Sequence, residues 1–165
     1  RILDLGCGNG LYGRFLKQKT KALVGIDKDP LLVEVARGLS WYDEVILGEA
    51  YPLAYKEQCC AIWASEIIEH LPSLDIFDQL ERVATNTIVA TLPNPVFPHY
   101  SRDPSHILEY SVRKLRERLE KNMSWKYAVY GSGFENVPFP RWLKTLNQKM
   151  LLHRGRALQQ SNHID

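Results

Sequence analysis

Cysteine is scarce in this chain: three in 165 residues, two of them adjacent at Cys59 and Cys60. That number and spacing exclude a disulfide framework and a closed zinc site, and make a reducing cytoplasm the expected compartment. No apolar run approaches the roughly 18 residues that a bilayer span needs, so no membrane association is expected. No secretory leader is visible. The chain starts at Arg1, without Met, and enters directly a segment that reads as a buried strand. Internal repeats are lacking, and so is an excess of one charge: 21 Lys and Arg stand against 19 Asp and Glu. With 45% hydrophobic residues, that balance excludes low-complexity disorder and leaves one domain with one sizeable core.

The balance conceals a split. Residues 1–110 hold 10 Lys and Arg against 15 Asp and Glu, whereas residues 111–156 hold 11 against 3. A basic C-terminal third could attract an anionic partner, RNA included, or could simply be solvated helix faces.

Short apolar runs alternate with stretches of helical spacing. Strands are expected at residues 1–5, 22–26, 44–47, 59–64, 87–91 and 125–130. Helices are expected at 11–17, from Pro30, at about 66–83 but interrupted or bent near Pro72, and from Ser111 to about residue 121. Another basic helix is expected from Arg141, fraying before Gly155. Four prolines (Pro93, Pro95, Pro98, Pro104) make the intervening segment an irregular loop. This alternation predicts an α/β fold: a doubly wound, mostly parallel sheet in a three-layer αβα sandwich. Ligands of such sheets lie at the carboxyl ends of the strands, where strand order reverses.

The first strand ends in Asp4-Leu5-Gly6-Cys7-Gly8-Asn9-Gly10. Alternate glycines let backbone amides approach a ligand just before a helix N-terminus. Residues 8–13 also satisfy the dinucleotide fingerprint, with Asp27 about 20 residues on. Asp4 discriminates between the two readings. A carboxylate there repels a pyrophosphate and favours a ligand carrying an amine and a sulfonium.

At these residues the chain resembles the class I S-adenosylmethionine-dependent methyltransferases, and the likeness recurs in order. Ile-Leu-Asp-Leu-Gly-Cys-Gly-Asn-Gly at residues 2–10 looks like their motif I. Gly25-Ile26-Asp27-Lys28-Asp29-Pro30 looks like their second strand end, where the acidic residue grips the ribose hydroxyls. Leu47-Gly48-Glu49-Ala50 sits at the adenine turn, which implies that Glu49 accepts from the adenine amino group and that the Ala50 amide faces a ring nitrogen. Ala64-Ser65-Glu66-Ile67-Ile68-Glu69-His70-Leu71 is similar to the family's Glu-x-x-Glu-His-Leu segment. The resemblance implies a Rossmann-like core over residues 1–135 that binds S-adenosylmethionine and releases S-adenosylhomocysteine. Residues 136–165 would be a basic C-terminal extension. The implied cofactor contacts are Asp4, Gly6, Cys7, Gly8, Asp27, Lys28, Glu49, Ala50 and Ser65.

Two departures bear on the acceptor. Val83-Ala84-Thr85-Asn86 replaces the glycine-rich turn that many relatives carry before strand five. The helix that commonly precedes their first strand is not in this sequence, so the expectation is a whole cofactor site with an open or partial substrate site.

Methyl transfer draws chiefly on alignment and desolvation, with a base where the nucleophile is a hydroxyl or amine. Glu66, Glu69 and His70 fall at i, i+3 and i+4 of the expected helix, and His99, Tyr100 and His106 lie in the proline-rich loop. His70, Glu66 and His106 are the expected catalytic residues. The same face plus His106 resembles the metal set of the 2′-O-methyltransferases that act on RNA 3′ ends. The plainer expectation is no metal, because Glu-x-x-Glu-His-Leu also occurs in metal-free relatives. Base methylation at exocyclic amines is disfavoured, since strand four leads into Ser65-Glu66-Ile67-Ile68 rather than an Asn-Pro-Pro-Tyr element. In the basic helix from Ser111, Val112, Leu115 and Leu119 are spaced for burial, leaving Arg113, Lys114, Arg116 and Arg118 as its wet face. The reading adopted is methyl transfer to N, O or C of a small molecule. RNA or protein methylation and a cofactor-binding module without activity are the alternatives.

Overall fold

The computed structural model describes residues 1–93, 103–108, 110–121, 125–129 and 150–153. Its strands are β1 (Ile2–Leu5), β2 (Leu23–Asp27), β3 (Glu44–Leu47), β4 (Cys59–Ser65), β5 (Ala84–Thr91), β6 (Lys126–Val129) and β7 (Met150–His153). The helices are α1 (Gly13–Lys17), α2 (Pro30–Arg37), α3 (Ile76–Val83) and α4 (Val112–Glu120). They build one seven-stranded sheet in the order β3-β2-β1-β4-β5-β7-β6. The first five strands pair in parallel, and β7 is antiparallel to both β5 and β6. The doubly wound, mostly parallel α/β fold is therefore present.

Local chemistry starts α2 and α4 where the sequence placed them. Pro30 opens α2, and the Asp29 carboxylate accepts from the amides of Leu31 (2.8 Å) and Leu32 (3.3 Å). Ser111 caps α4 by accepting from the Lys114 amide at 3.1 Å.

Strand parity then sorts the two faces. Leu3, Leu5, Val24, Ile26, Ile62, Ala64, Ile88 and Ala90 form one cluster with Ile76, Phe77, Leu80 and Val83 of α3 and Leu115 and Leu119 of α4. Ile76, Phe77 and Leu80 are fully buried, each contributing roughly 1.5–3 kcal/mol relative to exposure. The intervening positions look the other way, where Val33 and Ala36 of α2, Val45 and Cys7 form a smaller cluster with Tyr42 against it.

Three expectations need correcting. The helix expected at 66–83 is instead a single 3-10 turn at Ile68–His70 followed by α3. Pro72 is the cause: it forces Leu71 into an extended conformation (φ −97°, ψ 153°) and ends the turn. Arg118 is not on the wet face of α4; it is buried and its guanidinium lies 2.6 Å from Asp78 of α3. The basic helix expected from Arg141 is contradicted at Met150–His153, which is strand β7; its other residues lie outside the described ones. Four apolar or aromatic-like residues in a row carry no helical period, so packing beside β5 decides their conformation.

The glycine-free junction before strand five is as tight as its composition suggests. α3 runs directly into β5 at Ala84, and one extra β5 residue is absorbed where the register shifts between Cys59↔Ala84 and Ala61↔Thr87. Among the described residues, no helix is long and apolar enough to cross a membrane.

Candidate active site

Strand order reverses between β1 and β4, so the turns after these strands and after β2 frame the ligand position of a doubly wound sheet. The amides of Gly6 and Cys7 both donate to the Ile26 carbonyl, at 2.9 and 3.0 Å, fastening the first turn to β2. Gly6 has φ +69°, and a Cβ there would lie 2.8 Å from Cγ1 of Ile67. Only glycine lets the β1 and β4 turns meet this closely. Gly8 (φ +52°) differs, because a Cβ there would meet nothing within 4 Å. Its backbone borders open space.

The Gly8 amide donates to Oδ2 of Asp27 at 2.8 Å, and the Asp29 amide donates to Oδ1 at 3.0 Å. The Gly48 amide donates to the Asp27 carbonyl at 2.9 Å, which draws the Glu49 turn to the same strand end. Lys28 and Glu49 are exposed there and Ala50 is buried. Asp4, Gly6, Cys7, Gly8, Asp27, Lys28, Glu49 and Ala50 thus gather on three adjoining turns. Ser65 ends β4, where its hydroxyl pairs with that of Thr91 at 2.9 Å across to β5.

Asp4 is 2% exposed, and Tyr42 donates its hydroxyl to Oδ2 at 2.6 Å. Burial pushes the Asp4 carboxyl up to about 6, with the Asp27 charge adding to the rise and the Tyr42 bond opposing it. The Cys7 thiol is pushed up to about 12 by burial, then by the charges of Asp4 and Asp27, so it is inert packing rather than a nucleophile.

Beyond the β4 turn lies a second cluster. The rings of His70 and His106 meet edge to face with centroids 4.9 Å apart. Glu69 is 1% exposed, its Oε1 lies 3.9 Å from Nε2 of His70, and its Oε2 has no hydrogen-bond partner among the described residues. One ligand atom from each of Glu69, His70 and His106 fits within a mutual 4.8 Å. Burial pushes the Glu69 carboxyl up to about 8, with the charges of Glu66 and Asp103 adding to the rise. Nδ1 of His70 lies 3.0 Å from the Ser105 carbonyl, an acceptor only, so Nδ1 carries the hydrogen and Nε2 is turned toward Glu69.

Glu66 does not join them. It has φ +51°, is exposed, and its amide donates to the Thr91 carbonyl at 3.0 Å, so the expected i, i+3, i+4 face does not exist. His99 and Tyr100 lie outside the described residues. Sequence reasoning missed Tyr42, an aromatic residue in a short segment between α2 and β3 with no periodicity to announce it, and Ser105, whose only contribution is a carbonyl.

The family model described as a methyltransferase domain matches residues 2–87, more than half of the chain. Among curated proteins, none matches. Similar solved structures include an S-adenosylmethionine-dependent methyltransferase from Archaeoglobus fulgidus, 17% identical over 92% of this chain and 84% of that one, with TM-score 0.64. The plantazolicin methyltransferase BpumL, in complex with a pentazolic analogue and S-adenosylhomocysteine, is 15% identical over 94% and 76%, with TM-score 0.69. The magnesium protoporphyrin IX methyltransferase of Synechocystis, with S-adenosylhomocysteine bound, is 14% identical over 93% and 74%, with TM-score 0.68. The chain belongs to the methyltransferase-domain family, as one of the class I S-adenosylmethionine-dependent enzymes whose motifs it resembles.

Proposed function

We propose that this chain transfers the methyl group of S-adenosylmethionine to a nitrogen, oxygen or carbon nucleophile of a small molecule. The observation that carries the reading is the paired turn at the strand switch: Gly8 opens onto free space while its amide holds the Asp27 carboxylate in place. The residues fit the cofactor, since a carboxylate with spare acceptor positions suits a ribose diol and a buried carboxylate at the turn suits an ammonium group. S-adenosylmethionine supplies an electrophilic methyl group on a sulfonium. Asp27 would accept from both ribose hydroxyls, Glu49 from the adenine amino group, and the Ala50 amide would face a ring nitrogen. Asp4 would oppose the ammonium group. Nε2 of His70 would take the acceptor's proton as the nucleophile forms its bond to carbon and the carbon–sulfur pair leaves with sulfur.

A small acceptor is favoured over RNA because two of the four basic residues of α4 are already paired, one of them buried. Arg113 pairs with Glu117 at 3.1 Å and Arg118 with Asp78 at 2.6 Å. Two structurally similar proteins also carry small-molecule names. The test is methyl transfer from labelled cofactor into a cell extract separated into metabolite, RNA and protein fractions. Label confined to RNA or protein rejects the small-molecule reading.

A second reading adds a divalent cation held by Glu69, His70 and His106. It is favoured by the ligand atoms of Glu69, His70 and His106 lying within 4.8 Å of one another and by the buried Oε2 of Glu69 having no hydrogen-bond partner among the described residues, a nitrogen and oxygen set that suits manganese, zinc or iron. Such an ion would supply a Lewis acid for an acceptor oxygen. The Ser105 carbonyl would orient His70 from behind.

A further inference from the structure

Tyr42 sits in a slot made by three glycines. A Cβ on Gly13 would come within 2.6 Å of its ring, one on Gly25 within 3.0 Å and one on Gly10 within 3.1 Å. These glycines belong to α1, β2 and the turn after β1, so one aromatic ring braces every element that enters the candidate cofactor site from this face. A phenylalanine would fill the slot equally well. The hydroxyl adds one thing, a 2.6 Å bond donated to Oδ2 of the buried Asp4.

We propose that Tyr42 is a positioning residue for cofactor binding, its hydroxyl holding the Asp4 carboxylate oriented toward the ammonium group of the cofactor's amino-acid tail. The proposal rests on the methyltransferase reading above. Three titratable groups face Asp4: Tyr42 from the segment after α2, Asp27 from β2 and Cys7 from its own turn; β4 places Trp63 beside it in register. Asp27 and the buried surroundings disfavour a charge on Asp4, and Tyr42 is the group that favours it. The Tyr42 hydroxyl is itself pushed far up by burial and by Asp4, so it remains a donor at every working pH.

The test compares the parent protein with Tyr42→Phe, which keeps the ring in its slot, by calorimetric binding between pH 5 and 8.5. S-adenosylhomocysteine and 5′-methylthioadenosine are the two probes, since the second lacks the ammonium group. For the parent, S-adenosylhomocysteine should tighten as pH rises through about 6. In Tyr42→Phe that limb should move up by about one pH unit, the worth of one hydrogen bond to a charged group. Methylthioadenosine should bind both proteins alike, and Tyr42→Phe should change nothing further in an Asp4→Asn background. Superposed S-adenosylhomocysteine profiles overturn the proposal, as does an equal shift for methylthioadenosine, which would mean a merely structural role. Failure of the parent to bind either probe overturns the cofactor reading and this inference with it.

Discussion

The Gly8 amide and the Asp27 carboxylate, 19 residues apart, are joined at 2.8 Å, so the turns after β1 and β2 act as one unit. A ligand gripping Asp27 therefore meets a carboxylate already oriented by backbone amides, and little side-chain entropy remains to be lost on binding.

Asp27→Ala releases the Gly8 and Asp29 amides together and, under the proposed cofactor assignment, removes the acceptor for the ribose hydroxyls. Hydrogen bonds to a charged group are worth about 1.5–3 kcal/mol, so S-adenosylhomocysteine affinity should fall by roughly 10- to 100-fold. Calorimetry checks this, with circular dichroism confirming the fold. Unchanged affinity removes Asp27 from the site.

Arg118 links α4 to α3 from a buried position, facing Asp78 at 2.6 Å and the largely buried Glu81 at 4.0 Å. Arg118→Ala takes the cation away from a buried carboxylate and should cost about 3 kcal/mol in urea unfolding. Pairing Arg118→Leu with Glu81→Leu should recover part of that loss, because the replacements remove both charges of the Arg118–Glu81 pair. A cost under about 0.5 kcal/mol for Arg118→Ala would show the ion pair to be surface-like.

The Asp4 carboxyl titrates near 6 in the folded protein, above its ordinary value of 3.8. The folded state then holds more protons than the unfolded one between those values, so this group's stabilising contribution is complete at low pH and is lost as pH rises through about 6. Asp4→Asn removes the dependence. Its melting temperature relative to the parent should rise between pH 4 and pH 7, and a constant difference would contradict the shift.

Chelation separates the two readings of the histidine cluster. Under metal-free chemistry, methyl transfer survives EDTA. Activity that is lost to EDTA, restored by manganese in the parent and not restored in Glu69→Gln establishes the cation. Titration of the apoprotein with manganese gives an independent readout, with one site per chain expected only for the second reading.

Much of the cofactor half was legible because it is local. Alternating apolar runs and helical periods require the parallel α/β order, and the glycine turn, Asp27 and the caps at Asp29 and Ser111 act over a few residues. The interruption expected near Pro72 is present for an equally local reason, but the segment before it is only a 3-10 turn at Ile68–His70 rather than a helix from residue 66. The cluster around His70 was legible only in part. His70 and His106 do meet, but the turn that brings them together leaves Glu66 outside and puts buried Glu69 in its place.

By itself the sequence determined the fold class, the order of the strand-end motifs and the starts of α2 and α4, all governed by neighbours along the chain. Only the tertiary structure decided that Tyr42 reaches Asp4 across 38 residues, that Arg118 is buried, and that Met150–His153 is an antiparallel strand. Each of these depends on which distant surface excludes water from a side chain or completes a backbone ladder, and no pattern along the chain encodes that.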